Sequence, residues 1–138
     1  MGGRYFDFTA PDLSGTDHTL SAEIKGKVAL IDLWGSWCGS CRWHSKALIP
    51  VYNKYRDRGF TIVGVAREFH DSRAMKKAIE RDGYPWLNLL ELDDRLGIWT
   101  KYGVGNAGGA RFLVGSDGRI LAINPDAAQV EAILENEL

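Results

Sequence analysis

The apolar positions along the chain follow two different periods. Val28–Trp34, "VALIDLW", is apolar everywhere except Asp32, the pattern of a strand buried on both faces. "FTIVGVAR", Phe60–Arg67, predicts a second buried strand. Between them, Cys38–Arg58 contains no glycine after Gly39, and Leu48, Val51, Tyr52 and Tyr55 recur at helical spacing. A long helix is expected there. Pro50 should bend it, because proline brings no N–H for residue 46 and its ring crowds that carbonyl. "DSRAMKKAIERDG" predicts a helix closed by Gly83. "LNLLEL" is a short apolar piece and "DDRLGIWTKYG" predicts a short helix. "ARFLVGSDGRILAIN" reads as a hairpin around Ser116-Asp117-Gly118. "DAAQVEAILENEL" ends the chain as an amphipathic helix with Val130, Ile133 and Leu134 inward. Before the first strand, "YFDFTAPDLSGTDHTLSAEIKGK" alternates short apolar pairs with Pro, Gly, Ser and Asp, an irregular entry with a small β-hairpin.

The resulting order is β-α-β-α-(short α)-β-β-α, an α/β architecture. Crossover units in the first half and a hairpin in the second require a mixed central sheet flanked by helices. The 138 residues suit one domain, 1–138, with 1–26 as an N-terminal extension. A chain of that size buries roughly 68–70% of its unfolded surface and needs no disulfide staple. There is no internal repeat and no low-complexity linker. Seventeen basic and eighteen acidic residues are dispersed, which gives no basic block for nucleic acid. No apolar run has membrane-spanning length. The opening Met-Gly-Gly reads as an expression remnant, so the domain is expected to derive from a longer, exported protein.

The candidate chemistry lies in "WGSWCGSCRWH", which holds both cysteines of the chain and three of its five tryptophans. Cys38 falls at the junction of a buried strand and a helix, facing unpaired backbone N–H groups and the positive end of the helix dipole. Thiols in that setting, and in Cys-x-x-Cys pairs, have depressed pKa values. Cys41 follows one turn later, within reach of a mixed disulfide on Cys38. Cys38 is thus the candidate nucleophile and Cys41 the resolving thiol, with Trp34 and Trp37 as apolar walls. Asp32, if aimed at Cys41, would be desolvated and could take its proton. Glu68, just past the second strand, is a second candidate for that task. Two readings compete. The cysteines could merely pack, or they could bind metal with His44, which continues the series Cys38-x-x-Cys41-x-x-His44. A structural zinc site wants four ligands, however, and a second Cys-x-x-Cys is absent. Haem attachment requires histidine where Arg42 stands.

"GKVALIDLWGSWCGSCR" resembles the thioredoxin superfamily, and within it the TlpA/ResA-like thiol–disulfide oxidoreductases. "FDFTAPDLSGTDHTLSAEIKGK", "YNKYRDRGFTIVGVA" and "YGVGNAGGARFLVGSDGRILA" extend the resemblance over nearly the whole chain. It implies a thioredoxin-like fold with a redox-active Cys38–Cys41 disulfide at the N-terminus of the long helix and no other cofactor or bound metal. Protein thiols and disulfides are the implied substrates, with an upstream thiol as electron donor, a reducing direction, a monomeric chain and a home in the bacterial periplasm or cell envelope. Asp32 matches the buried aspartate of thioredoxin, and Glu68 lies near the acidic residue of ResA-like members. Trp37, Gly39, Ser40, Gly108, Gly109 and Ala110 correspond to the substrate-contacting surface.

The chain departs from that pattern twice. Lys46 stands where the family has a proline five residues after the second cysteine. Gly109, or Gly108, stands where it has a cis-proline before the strand matching "RFLV". A non-proline cis peptide costs about 2.5–4 kcal/mol, so a trans loop is expected. Glycines there should leave the surface over the cysteines more open and mobile, altering substrate recognition or admitting a metal.

Two other motifs fail on context. "GVGNAG" fits G-x-G-x-x-G but lacks the preceding strand and following helix of a dinucleotide site. A thiol peroxidase shares the N-terminal extension, but "WGSW" lacks the Thr and Pro which that chemistry sets ahead of its cysteine.

Overall fold

The computed structural model describes residues 3–105 and 108–138. The first strands, β1 (Thr9–Pro11) and β2 (Asp17–Thr19), form the small antiparallel hairpin, and α1 (Leu20–Glu23) follows at once. The central sheet begins with β3 (Val28–Trp34). It continues through the long helix α2 (Gly39–Tyr55), β4 (Phe60–Glu68), α3 (Arg73–Asp82) and β5 (Leu87–Leu92). The short α4 (Ile98–Lys101) leads to the hairpin β6 (Ala110–Val114) and β7 (Ile120–Ile123), and α5 (Ala127–Glu137) closes the chain. The sheet order is β5-β4-β3-β6-β7. β3 pairs parallel with β4 and antiparallel with β6, so the sheet is mixed, as the crossover-then-hairpin pattern requires.

The two-residue period of β3 explains the two cores. Val28, Leu30 and Trp34 point to one face, packing with Leu48, Val51 and Tyr55 of α2 and with Val130 and Leu134 of α5. Ala29, Ile31 and Leu33 point to the other, which Phe8, Leu20, Ile24, Ile98 and Trp99 cover. The entry segment is therefore part of the second core. By the same alternation Asp32 falls on the α2 face, between Leu30 and Trp34. Both faces being covered, every residue of β3 is buried.

Three boundaries differ from expectation. "LNLLEL" is strand β5, paired parallel with β4, and not merely an apolar piece. β4 runs one residue further than its apolar pattern, so Glu68 lies inside the sheet and not beyond it. The long helix starts at Gly39, with Cys38 as its extended N-cap residue, and continues through Pro50 to Tyr55. A short 3-10 turn, Arg56–Arg58, completes the predicted span.

Candidate active site

Cys38 and Cys41 are bonded to each other, so the structure is that of the oxidised chain. Cys38 caps α2, its Sγ accepting the Cys41 backbone N–H at 3.3 Å. The Ser40 hydroxyl lies 3.6 Å from the same sulfur. Gly39 and Ser40 are exposed in the first turn, whereas Cys38 and Cys41 keep only 7% of their surface each. A sulfur at an N-cap stands where unpaired N–H groups and the helix dipole favour negative charge.

The turn that delivers Cys38 is fastened on every side. Ser36 donates its backbone N–H (2.7 Å) and its hydroxyl (2.5 Å) to the Glu68 carboxylate. The Ser36 carbonyl accepts from the Arg42 guanidinium at 3.3 Å, and Arg42 is held in a bidentate pair with Asp82. Trp37 is 44% exposed, yet its indole N–H donates to the Arg67 carbonyl at 2.7 Å and its ring tilts against Trp99. Trp34, the other expected apolar wall, is fully buried in the same core as both cysteines and donates its indole N–H to Asn88. Glu68, expected as a reserve proton acceptor, is buried and spends both carboxylate oxygens on Ser36.

Asp32 sits beneath the second sulfur's helix. It is 2% exposed and accepts a 2.5 Å hydrogen bond from the buried Ser45 hydroxyl. Ser45 lies four residues after Cys41, on the same side of α2. Burial pushes the Asp32 carboxyl up to about 6, against the opposing pull of the Ser45 hydrogen bond and the Arg111 charge. Arg111 stands opposite Asp32 in the β3–β6 register, and its own N–H groups are taken by the carbonyls of Asn124 and Pro125.

Gly108 and Gly109 bring the last segment against the cysteines. The Gly109 N–H donates to Cys41 Sγ at 3.2 Å. A side chain at 109 would collide with the Leu33 carbonyl and come within 2.8 Å of that sulfur. Every described peptide bond is trans. The expectation of a more open surface is thus corrected: glycine at 109 lets the backbone close over Cys41. Ala110 begins β6, is buried, and belongs to the opposite core. Asn106 and Ala107, in the same glycine-rich segment, lie outside the described residues.

The metal-binding alternative gains no support. The two thiols are joined, and among the described residues no three His, Cys, Asp or Glu side chains converge on a metal-sized site. His44 instead packs edge-on against the Trp43 ring, and burial lowers its pKa. Sequence reading missed Ser36, Arg42, Ser45 and Arg111. Of these, only Ser45 offered a local sign, as a polar residue one turn beyond Cys41.

The model of the AhpC/TSA family matches residues 1–123. The Thiol:disulfide interchange protein DsbE of Allochromatium vinosum is 33% identical over 132 residues, which span 91% of this chain and 68% of that protein. The Thiol-disulfide oxidoreductase ResA of Bacillus thuringiensis is 28% identical over 121 residues, spanning 88% and 67%. Among solved structures, the thioredoxin domain of a thiol-disulfide oxidoreductase from Bacteroides vulgatus superposes with a TM-score of 0.85 at 31% identity, covering 98% of this chain and 95% of that one. A thiol:disulfide interchange protein from a Bacteroides species gives a TM-score of 0.86 at 30% identity, covering 99% and 88%.

Proposed function

This chain is a thiol–disulfide oxidoreductase of the AhpC/TSA family, and on that premise we propose that Cys38 attacks the substrate and Cys41 resolves the product, with Asp32 handling the proton. In the reducing direction the Cys38 thiolate attacks one sulfur of a protein disulfide. A mixed disulfide forms and the other substrate sulfur leaves as thiolate. Cys41 passes its proton towards Asp32 and attacks Cys38 Sγ. The second substrate sulfur is released, and the Cys38–Cys41 disulfide of the present structure results. Two electrons pass to the substrate, and an upstream thiol returns them to the chain.

The observation that supports this assignment is the asymmetry of the two sulfurs. Cys38 occupies the helix N-cap, where negative charge is favoured. Cys41, buried to the same degree as Cys38, carries the Gly109 N–H on its sulfur, and one turn further along the helix Ser45 bonds the buried Asp32 of β3. A carboxyl pushed up to about 6 is matched to accepting a proton near neutral pH. Glu68 serves as the anchor of the Ser36 turn. Trp37, Gly39, Ser40, Gly108 and Gly109 form the surface that meets the substrate chain. The reducing direction, the monomeric state and a place in the periplasm or cell envelope follow from the TlpA/ResA resemblance. No helix of the described residues is long and apolar enough to cross a membrane.

Cys41→Ser tests the division of labour. The variant should accumulate a mixed disulfide with a protein disulfide substrate, linked through Cys38 by peptide mapping. A mixed disulfide that forms through Cys41 in the Cys38→Ser variant, at a rate equal to or above that of Cys41→Ser, would overturn the assignment.

A further inference from the structure

We propose that the groove between the active-site turn and α3 docks an acidic segment of the substrate protein, adjacent to the disulfide being exchanged. The inference rests on the exchange reading above and adds a substrate class to it. The groove has a volume of about 350 Å³ and opens at Trp37, the residue immediately before Cys38. Its apolar lining is Trp37, Ala74 and Ala78, and its cations are Arg42, Lys77 and Arg81.

The charges there do not cancel. Arg42 is neutralised by the Asp82 carboxylate, which it grips at 2.7 and 3.0 Å. Lys77 and Arg81 lie one turn apart on α3, both exposed, and no ion pair among the described residues engages either. The other ion pair beside this helix, Arg73 with Asp71, ties up a different cation. Ala74, Lys77, Ala78 and Arg81 fall at helical spacing, so α3 presents one stripe of small side chains and free cations to the groove. The small residues leave room for a peptide and the cations choose its sign. Trp37, fixed by its bond to the Arg67 carbonyl, supplies a rigid apolar wall that needs no ordering on binding. Cations at the rim of a recognition site act mainly on the association rate and on the choice of partner.

The test uses the dithiothreitol-reduced full chain with three disulfide-linked peptides, alike except that the residues flanking the cystine are Glu, Gln or Lys. At low salt the acidic peptide should be reduced about tenfold faster than the Gln peptide, and the Lys peptide more slowly. Molar salt, with a screening length of about 3 Å, should erase the difference. Lys77→Gln/Arg81→Gln should remove the acidic preference and Lys77→Glu/Arg81→Glu should invert it, with the Gln-peptide rate unchanged in both. Equal rates for the acidic and Gln peptides in the unaltered chain would overturn the proposal, as would an acidic preference that survives charge reversal. Failure to reduce any of the peptides, Gln included, would overturn the exchange reading itself, and the docking site with it.

Discussion

A carboxyl group held 2% exposed beneath a helix is neutral over much of the acidic range, and its ionisation costs the fold. Asp32 moves from an ordinary 3.8 to about 6, so the folded state binds its proton more tightly than the unfolded chain does. The associated stability is complete below pH 4 and is lost as pH rises through about 6. The shift corresponds to roughly 3 kcal/mol. Asp32→Asn should therefore gain about 2–3 kcal/mol relative to the unaltered chain between pH 4 and pH 8, measured by urea unfolding of the oxidised proteins. Parallel stability curves would refute that environment. The same substitution should slow release of the mixed disulfide at neutral pH.

Gly109 carries the opposite kind of constraint. Ala at 109 would press on the Leu33 carbonyl and on Cys41 Sγ, and overpacking of this kind costs about 1–3 kcal/mol. Gly109→Ala should lower stability by that amount in denaturant titrations and slow the Cys41 step, whereas Gly39→Ala, in open space, should do neither. Asp32 was legible in the sequence because it breaks an apolar run. Ser36, Arg42 and Arg111 were not, because their partners lie far along the chain: Glu68 is 32 residues from Ser36, and Asp82 is 40 from Arg42. Such pairs are made only when the sheet brings β4, α2 and α3 together.

At the scale of elements, the entry segment belongs to the second core. Phe8, Leu20 and Ile24 are buried against the β3 face that holds Ile31 and Leu33. Each such side chain contributes about 1.5–3 kcal/mol, so the three together rival the roughly 5–15 kcal/mol that holds a typical domain folded. Deleting residues 1–26 should leave a chain that binds a hydrophobic dye and lacks a cooperative thermal transition. A sharp transition by circular dichroism would show the sheet to be self-sufficient. The long elements β3, β4, α2, α3 and α5 and the β6–β7 hairpin were legible, since each carries an unbroken period or a turn of glycine and aspartate. β5 was not. Its burial alternates irregularly, and two of its six positions are Asn88 and Glu91, buried polar groups satisfied from elsewhere. Asn88 accepts from Trp34, while Glu91 receives the N–H groups of Leu96 and Ile98. Nothing local in "LNLLEL" announces those partners.

Over the whole molecule, the sheet order places the two chemically distinct sulfurs between opposite supports. On one side β4 and α3 hold the Ser36 turn through Glu68 and the Arg42–Asp82 pair. On the other, β6 brings Gly109 to Cys41 and Arg111 to Asp32. The α/β class and the mixed sheet were legible from element order alone; which cation meets which carboxylate was not, because register is decided by the packed faces. Arg111 has one further consequence. Its guanidinium is moored to the carbonyls of Asn124 and Pro125, at the bend joining β7 to α5, where Asn124 takes a left-handed conformation. The shape of that distant-in-sequence bend sets how near a positive charge stands to Asp32. Evolutionary drift there can retune the Asp32 carboxyl without altering any residue that touches sulfur.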